Sequence, residues 1–282
     1  MAPANPVKSP LPFRPRKSLG QHFLRDKAVV NRIVHMSRFR RDDRVLEVGP
    51  GRGELTLPLA RKVAHVTAVE KDPALADILQ ERIGRSGLEN VSIHNRDILR
   101  FDIKDLIDAC PGKFKVIGNL PYNISSPFLE KLVQWKDAVE RAVLMFQLEV
   151  ARRLTASPGC KAYGALTLLV SYHARPSPLF TVPKEAFRPI PKVQSMVVEL
   201  DFAKPCPGNP RHAALFRKVV KGAFSHRRKT LLNSLAGFAP EWDRETVRAT
   251  LTACGIDPTR RAETLDMDEF LQLTEAFALT HE

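Results

Sequence analysis

The 282-residue chain carries only four cysteines, Cys110, Cys160, Cys206 and Cys254. They lie far apart with no Cys-x-x-Cys pair and no histidines gathered near them, a pattern that argues against a disulfide framework and against a bound metal. Reduced thiols in a cytosolic protein are expected. Long apolar runs are also missing: none approaches the roughly 18 residues that span a bilayer, and the first residues lack the apolar core of a secretory signal. No membrane role is expected. Acid is scarce relative to base, with 31 Asp and Glu against 44 Lys and Arg and a formal charge of +13. The resulting pI near 9.9 favours a polyanionic partner over an acidic metabolite.

Residues 1–16 hold five prolines and too few apolar groups to offset the entropy of ordering, so they read as a disordered, basic tail. From Arg44 onward, β-rich runs (RVLEV, HVTAV, VSIH, FKVIG, AVLMFQ) alternate with helical stretches such as residues 73–83. That alternation predicts an α/β domain with a parallel sheet covered by helices on both faces. Two later runs, 179–182 and 195–202, are expected as antiparallel strands at one sheet edge. The Pro- and Gly-rich segment 204–210 punctuates the chain. The expected organisation is therefore a catalytic domain over 17–203, a linker at 204–210 and a small all-helical domain over 211–282.

The first strand runs into Glu47-Val48-Gly49-Pro50-Gly51-Arg52-Gly53. Closely spaced glycines let a backbone turn sharply and approach a ligand, although a plain strand-to-helix turn would also use them. Glu70 ends the second strand about 20 residues later, where a carboxylate accepts ribose hydroxyls. Asp97 follows the third strand, placed to accept from an adenine amino group. Alone, each acid reads as a solvated strand end; together they outline an adenosine-shaped cleft at the carboxyl ends of consecutive strands. Gly-x-Gly-x-Gly lacks the spacing of a dinucleotide fingerprint, and no Gly-Lys-Ser/Thr follows for a phosphate loop. The region resembles class I methyltransferases that bind S-adenosyl-L-methionine, which implies a Rossmann-like sheet.

The fourth of these runs, FKVIG, exits through Asn119-Leu120-Pro121-Tyr122. An adenine amino nitrogen is a poor nucleophile until its lone pair leaves conjugation with the ring. Two acceptors for its hydrogens assist that change: the Asn119 side-chain oxygen and the Leu120 carbonyl, on a bend stiffened by Pro121. Tyr122 can stack on the base. Phe187, in FRPIPKVQS (187–195), is a candidate for the opposite wall of a clamp on an extruded base, although a Phe before prolines also serves packing.

With these motifs the chain resembles the small-subunit (16S) ribosomal RNA adenine dimethyltransferases, over about residues 17–273. The marks are KSLGQHFL (17–24), LEVGPGRGELT (46–56), Glu70, Asp97, GNLPYNISSP (118–127), FRPIPKVQS, FSHRRKTLLNSL (224–235) and GIDPTRRAETL (255–265). The resemblance implies a Rossmann-like methyltransferase domain with a small C-terminal all-helical domain. It implies that His22, Leu24, Gly49, Gly51, Glu70, Asp97 and Asn119 hold S-adenosyl-L-methionine, and that Asn119, Leu120, Tyr122 and Phe187 hold the target base. It further implies dimethylation of two adjacent adenosines in a hairpin loop near the 3′ end of 16S rRNA in the assembling 30S subunit, by a monomer. His22 stands where the family commonly has Asn, and Gln194 where it commonly has Asp.

Between positions 211 and 229 there are seven Lys or Arg and no acid. Charge runs are usually solvated surface. This one has no compensating acids, so Arg227, Arg228 and Lys229 are expected to meet RNA phosphates at the start of a helix. Two other readings remain open: the same chemistry on large-subunit RNA, against which RRAETL speaks, and a binding protein that acts as an assembly checkpoint.

Overall fold

The computed structural model describes residues 21–108, 112–206 and 212–280. The expected tail at 1–16, Cys110 and residues 207–210 of the expected linker lie outside the described residues.

A seven-stranded sheet organises the first two thirds of the chain. Strands β2 (Arg44–Val48), β3 (His65–Glu70), β4 (Val91–Asn95), β5 (Phe114–Asn119) and β6 (Val139–Gln147) run parallel, and β7 (Arg175–Val182) and β9 (Ser195–Asp201) are antiparallel. The spatial order is β4-β3-β2-β5-β6-β9-β7, so the chain reverses direction across the sheet between β2 and β5. Ligands bind α/β sheets outside the carboxyl ends of the strands at such a switch point. A separate two-stranded ribbon pairs β1 (Phe23–Leu24) with β8 (Phe187–Arg188).

Strand β7 begins at Arg175, four residues before the apolar run that suggests it, and contains Pro176 and Pro178. Proline withholds a ladder donor, which only an edge strand tolerates, and β7 is the edge, with its register broken between Pro178 and Phe180.

Side chains alternate across the sheet with period two. Val116, Leu144 and Val198 face a core that includes Phe128, Leu132 and Trp135. Phe128 and Leu132 belong to α5 (Ser125–Gln134). Their neighbours Ile117, Val143 and Val197 face the opposite core, with Ile33 of α1 (Lys27–Met36). Each fully buried aliphatic contributes roughly 1.5–3 kcal/mol relative to exposure, which fixes the register that aims the strand ends. Helix α3 (Pro73–Arg85) starts where Asp72 accepts from the Ala74 N–H and Pro73 occupies the first turn.

Helices α8 (Ala213–Ala223), α9 (Leu231–Leu235), α10 (Arg244–Ala253) and α11 (Met267–Leu279) form the C-terminal part. Its core joins Trp242, Phe270 and Phe277 to Tyr163, Leu168 and Tyr172, which fall within the expected catalytic domain. Tyr172 stacks on Phe216 with ring centroids 4.3 Å apart. No helix among the described residues is long and apolar enough to cross a membrane.

Candidate active site

The turn after β2 places Gly49, Gly51 and Gly53 at φ +64°, +58° and +86°, a region that favours glycine. Glu70 holds the turn in place: its Oε2 accepts from the Gly51 N–H at 3.0 Å and its Oε1 from the Asp72 N–H at 2.9 Å. Glu70 is buried, and burial raises its pKa against the lowering effect of those backbone donors. Each carboxylate oxygen has a further lone pair, so the group remains able to accept from a ligand hydroxyl.

Asp97 lies across the same cavity. Its Oδ1 accepts from the Leu99 N–H at 3.0 Å, and its Oδ2 pairs with Lys71 Nζ at 2.9 Å. Partial burial alone would raise the Asp97 pKa, but the Lys71 ammonium and the Leu99 N–H outweigh it and hold the carboxyl below its usual range. Lys71 went unassigned in the sequence because its partner is 26 positions away; its place beside Glu70 was the one available signal.

Glu47 is a second residue that sequence reasoning left without a role. Its carboxyl is 1 % exposed, lines the cavity and leaves Oε2 without a hydrogen-bond partner among the described residues. Burial pushes its pKa up to about 8, opposed by the Thr56 hydroxyl and reinforced by Glu54 and Glu70. A buried carboxyl oxygen without a partner is unfavourable unless a ligand completes it. A glycine turn, two strand-end acids and this orphaned acceptor fit S-adenosyl-L-methionine, which carries ribose hydroxyls, an adenine and a cationic methionine end.

At the end of β5, the Asn119 Nδ2 donates to the His22 carbonyl at 3.0 Å. This turns the amide oxygen into the acceptor left for a ligand. The His22 ring Nδ1 lies 2.8 Å from the Pro189 carbonyl. Because a carbonyl only accepts, Nδ1 is the donor. His22, Leu24, Gly49, Gly51, Glu70, Asp97, Asn119 and Leu120 all line one cavity. Tyr122 opens the 3₁₀ turn Tyr122–Ile124 beside it.

The family model for ribosomal RNA adenine dimethylase matches residues 13–279. The chain belongs to the ribosomal RNA adenine dimethylase family. It is 44% identical over 266 residues to a ribosomal RNA small subunit methyltransferase A of Desulforapulum autotrophicum, covering 94% of this chain and 93% of that one. Against its counterpart in Desulfitobacterium hafniense it is 45% identical over 260 residues, covering 92% and 91%. Among solved structures, 23S rRNA methyltransferase ErmE matches with a TM-score of 0.71 and 28% identity over 91% of this chain and 99% of that one. A dimethyladenosine transferase from Plasmodium falciparum shares the fold, with a TM-score of 0.77, 24% identity and coverage of 92% and 98%.

Two expectations need adjustment in this dimethylase. Phe187, read as a clamp wall, is 1 % exposed and packs with Val143, Met145 and Val197. Its strand pairs with Leu24, which draws the ring inward. In this conformation it offers no free face to a base. Arg227, Arg228 and Lys229 are exposed, but they occupy the turn before α9 and do not open it, because Thr230 caps that helix at the Asn233 N–H. Arg227 Nη2 donates to the Lys161 carbonyl at 2.6 Å. It thereby joins Arg152, Arg153 and Lys161 along a groove that Tyr163, Phe224, Glu149 and Glu263 also line.

Proposed function

We propose that this family member dimethylates the exocyclic amino groups of two adjacent adenosines in the hairpin loop near the 3′ end of 16S rRNA, acting as a cytoplasmic monomer on the assembling 30S subunit. The observation that carries the reading is the Asn119 amide, oriented by the His22 carbonyl at the wall of the cavity that the glycine turn, Glu70 and Asp97 complete. S-adenosyl-L-methionine, when bound, supplies a methyl group already activated on sulfur. Glu70 accepts from ribose hydroxyls, Asp97 from the adenine amino group, and Glu47 offers its buried oxygen to the cationic end. Gly49 and Gly51 admit close backbone approach, and His22 and Leu24 close the cavity wall.

On the acceptor side, the Asn119 oxygen and the Leu120 carbonyl hold the two hydrogens of the target amine. This favours the pyramidal nitrogen that attacks carbon. Tyr122 stacks on the base, while Phe187, packed with Val143, Met145 and Val197, anchors the β1–β8 ribbon beside the site and does not touch the base. The amine releases one proton to solvent after each transfer, so no dedicated base is needed. After the first transfer one N–H remains, and one acceptor suffices to orient it. Hydrogen bonds of about 1 kcal/mol each are too weak to carry the reaction, so alignment, with up to roughly 7–11 kcal/mol available, supplies the larger part.

The exposed cations Arg227, Arg228 and Lys229 neutralise RNA phosphates, with recognition by shape. The relatives named for the small subunit, at 44–45% identity, favour that substrate over the large-subunit RNA named for ErmE. The test presents S-adenosyl-L-methionine with unmethylated small-subunit particles, naked 16S rRNA and large-subunit RNA in parallel. Dimethyladenosine is expected mainly in the particles; product mainly in large-subunit RNA would reverse the assignment.

A further inference from the structure

Five large apolar side chains stand exposed among the described residues, and two of them share one short loop: Ile190 at 51 % and Val193 at 44 %. The loop is held at both ends. On one side β8 pairs with β1, Phe187 is packed into the core, and the Pro189 carbonyl accepts from the His22 ring at 2.8 Å. On the other, the Gln194 carbonyl accepts from the Leu148 N–H at 2.9 Å. Pro189 and Pro191 restrict the backbone between these anchors. Ile190 and Val193 are therefore presented outward by a fixed frame.

The frame leads directly to the reacting group. Two hydrogen bonds, Asn119 to the His22 carbonyl and the His22 ring to the Pro189 carbonyl, connect the amine-binding amide to the base of the loop. Arg188 and Lys192 are the only charged residues between Phe187 and Ser195. Val193 also lines the groove of Arg152, Arg153, Lys161 and Arg227, whose cations outnumber Glu149 and Glu263 there, and this net positive surface suits an RNA strand.

We propose that Ile190 and Val193 form a wedge that enters the RNA base stack where the target adenosine leaves it. This inference rests on the proposed adenine methylation. A base drawn out of a stack exposes the faces of its neighbours, and apolar side chains fill such gaps in other nucleic-acid complexes. Lys192 sits between the two wedge residues in sequence, placed to meet a flanking phosphate. The wedge holds open the strand that Asn119 and Leu120 receive from, and it takes no part in binding the methyl donor.

The experiment compares wild-type protein with an Ile190→Ala/Val193→Ala double variant and an Ile190→Leu variant. The probes are small-subunit particles carrying 2-aminopurine beside the target adenosines, with S-adenosylhomocysteine present to block chemistry. Wild type and Ile190→Leu should raise the fluorescence as stacking is lost. The double variant should lose that rise and methylate unlabelled particles about tenfold more slowly, while its affinity for S-adenosylhomocysteine stays within about threefold. A double variant that unstacks the probe and methylates as wild type does overturns the wedge. An equal loss in Ile190→Leu also overturns it, because apolar bulk at the tip is then not what matters. Wild-type protein that forms no dimethyladenosine at all would show instead that the underlying reading has failed.

Discussion

Asn119 Nδ2 donates to the backbone carbonyl of His22 across 97 positions of sequence, and this single bond decides which way the amide faces. Asn119→Asp removes the donor and sets a carboxylate against that carbonyl. The expected loss in methyl transfer is about 100-fold or more, the scale seen when one positioned polar group is removed from a reaction site. Single-turnover kinetics on small-subunit particles measures it. His22→Ala keeps the carbonyl that Asn119 donates to and loses the ring's bond to the Pro189 carbonyl, so its methyl transfer should fall far less than that of Asn119→Asp.

Phe187 is buried, which predicts a stability effect separate from any effect on the base. Phe187→Ala should destabilise the fold by about 3–5 kcal/mol through the cavity it leaves, measured by urea unfolding. A Phe187→Leu variant with near-normal stability and a strongly reduced methylation rate would separate an aromatic role from a packing one.

Glu47 makes stability depend on pH. Its folded pKa is about 8 against 4.5 for the free side chain. Between those values the folded protein keeps a proton that the unfolded chain has released, so this contribution is complete below about pH 4.5 and lost as pH rises through about 8. For one proton the slope is at most about 1.4 kcal/mol per pH unit. Glu47→Gln should flatten the slope between pH 5 and 8 and leave the protein relatively more stable at pH 9 than wild type, as read by denaturant unfolding.

Arg227, Arg228 and Lys229 predict a steep fall of RNA affinity with salt. Replacing any one with Glu should weaken binding at low salt and reduce the slope of log K against log salt by about one or more, with cofactor affinity unchanged. Filter binding across a salt series measures it, and a flat dependence in wild type would contradict the phosphate assignment.

Much of this architecture was legible in the sequence because its signals are local. The runs RVLEV through AVLMFQ became the five parallel strands, and Gly49, Glu70 and Asp97 fell at consecutive strand ends because parallel β-α units put them there. The Asn119 reading came from chemistry local to four residues. What was hidden depends on distant partners: Lys71 on Asp97, the His22 ring on Pro189, Arg227 on the Lys161 carbonyl, and the burial of Phe187 through pairing with Leu24. The start of β7 lay outside the apolar run 179–182, and it is the strand's edge position, invisible in the sequence, that makes Pro176 and Pro178 acceptable in it.

The most direct measurement is mass spectrometry of nucleosides from unmethylated small-subunit particles incubated with S-adenosyl-L-methionine and either wild-type protein or Asn119→Ala. Dimethyladenosine is expected with wild type, and with the variant at least about 100-fold less product while particle binding persists. Dimethyladenosine formed by Asn119→Ala at the wild-type rate would contradict the role given to the oriented amide.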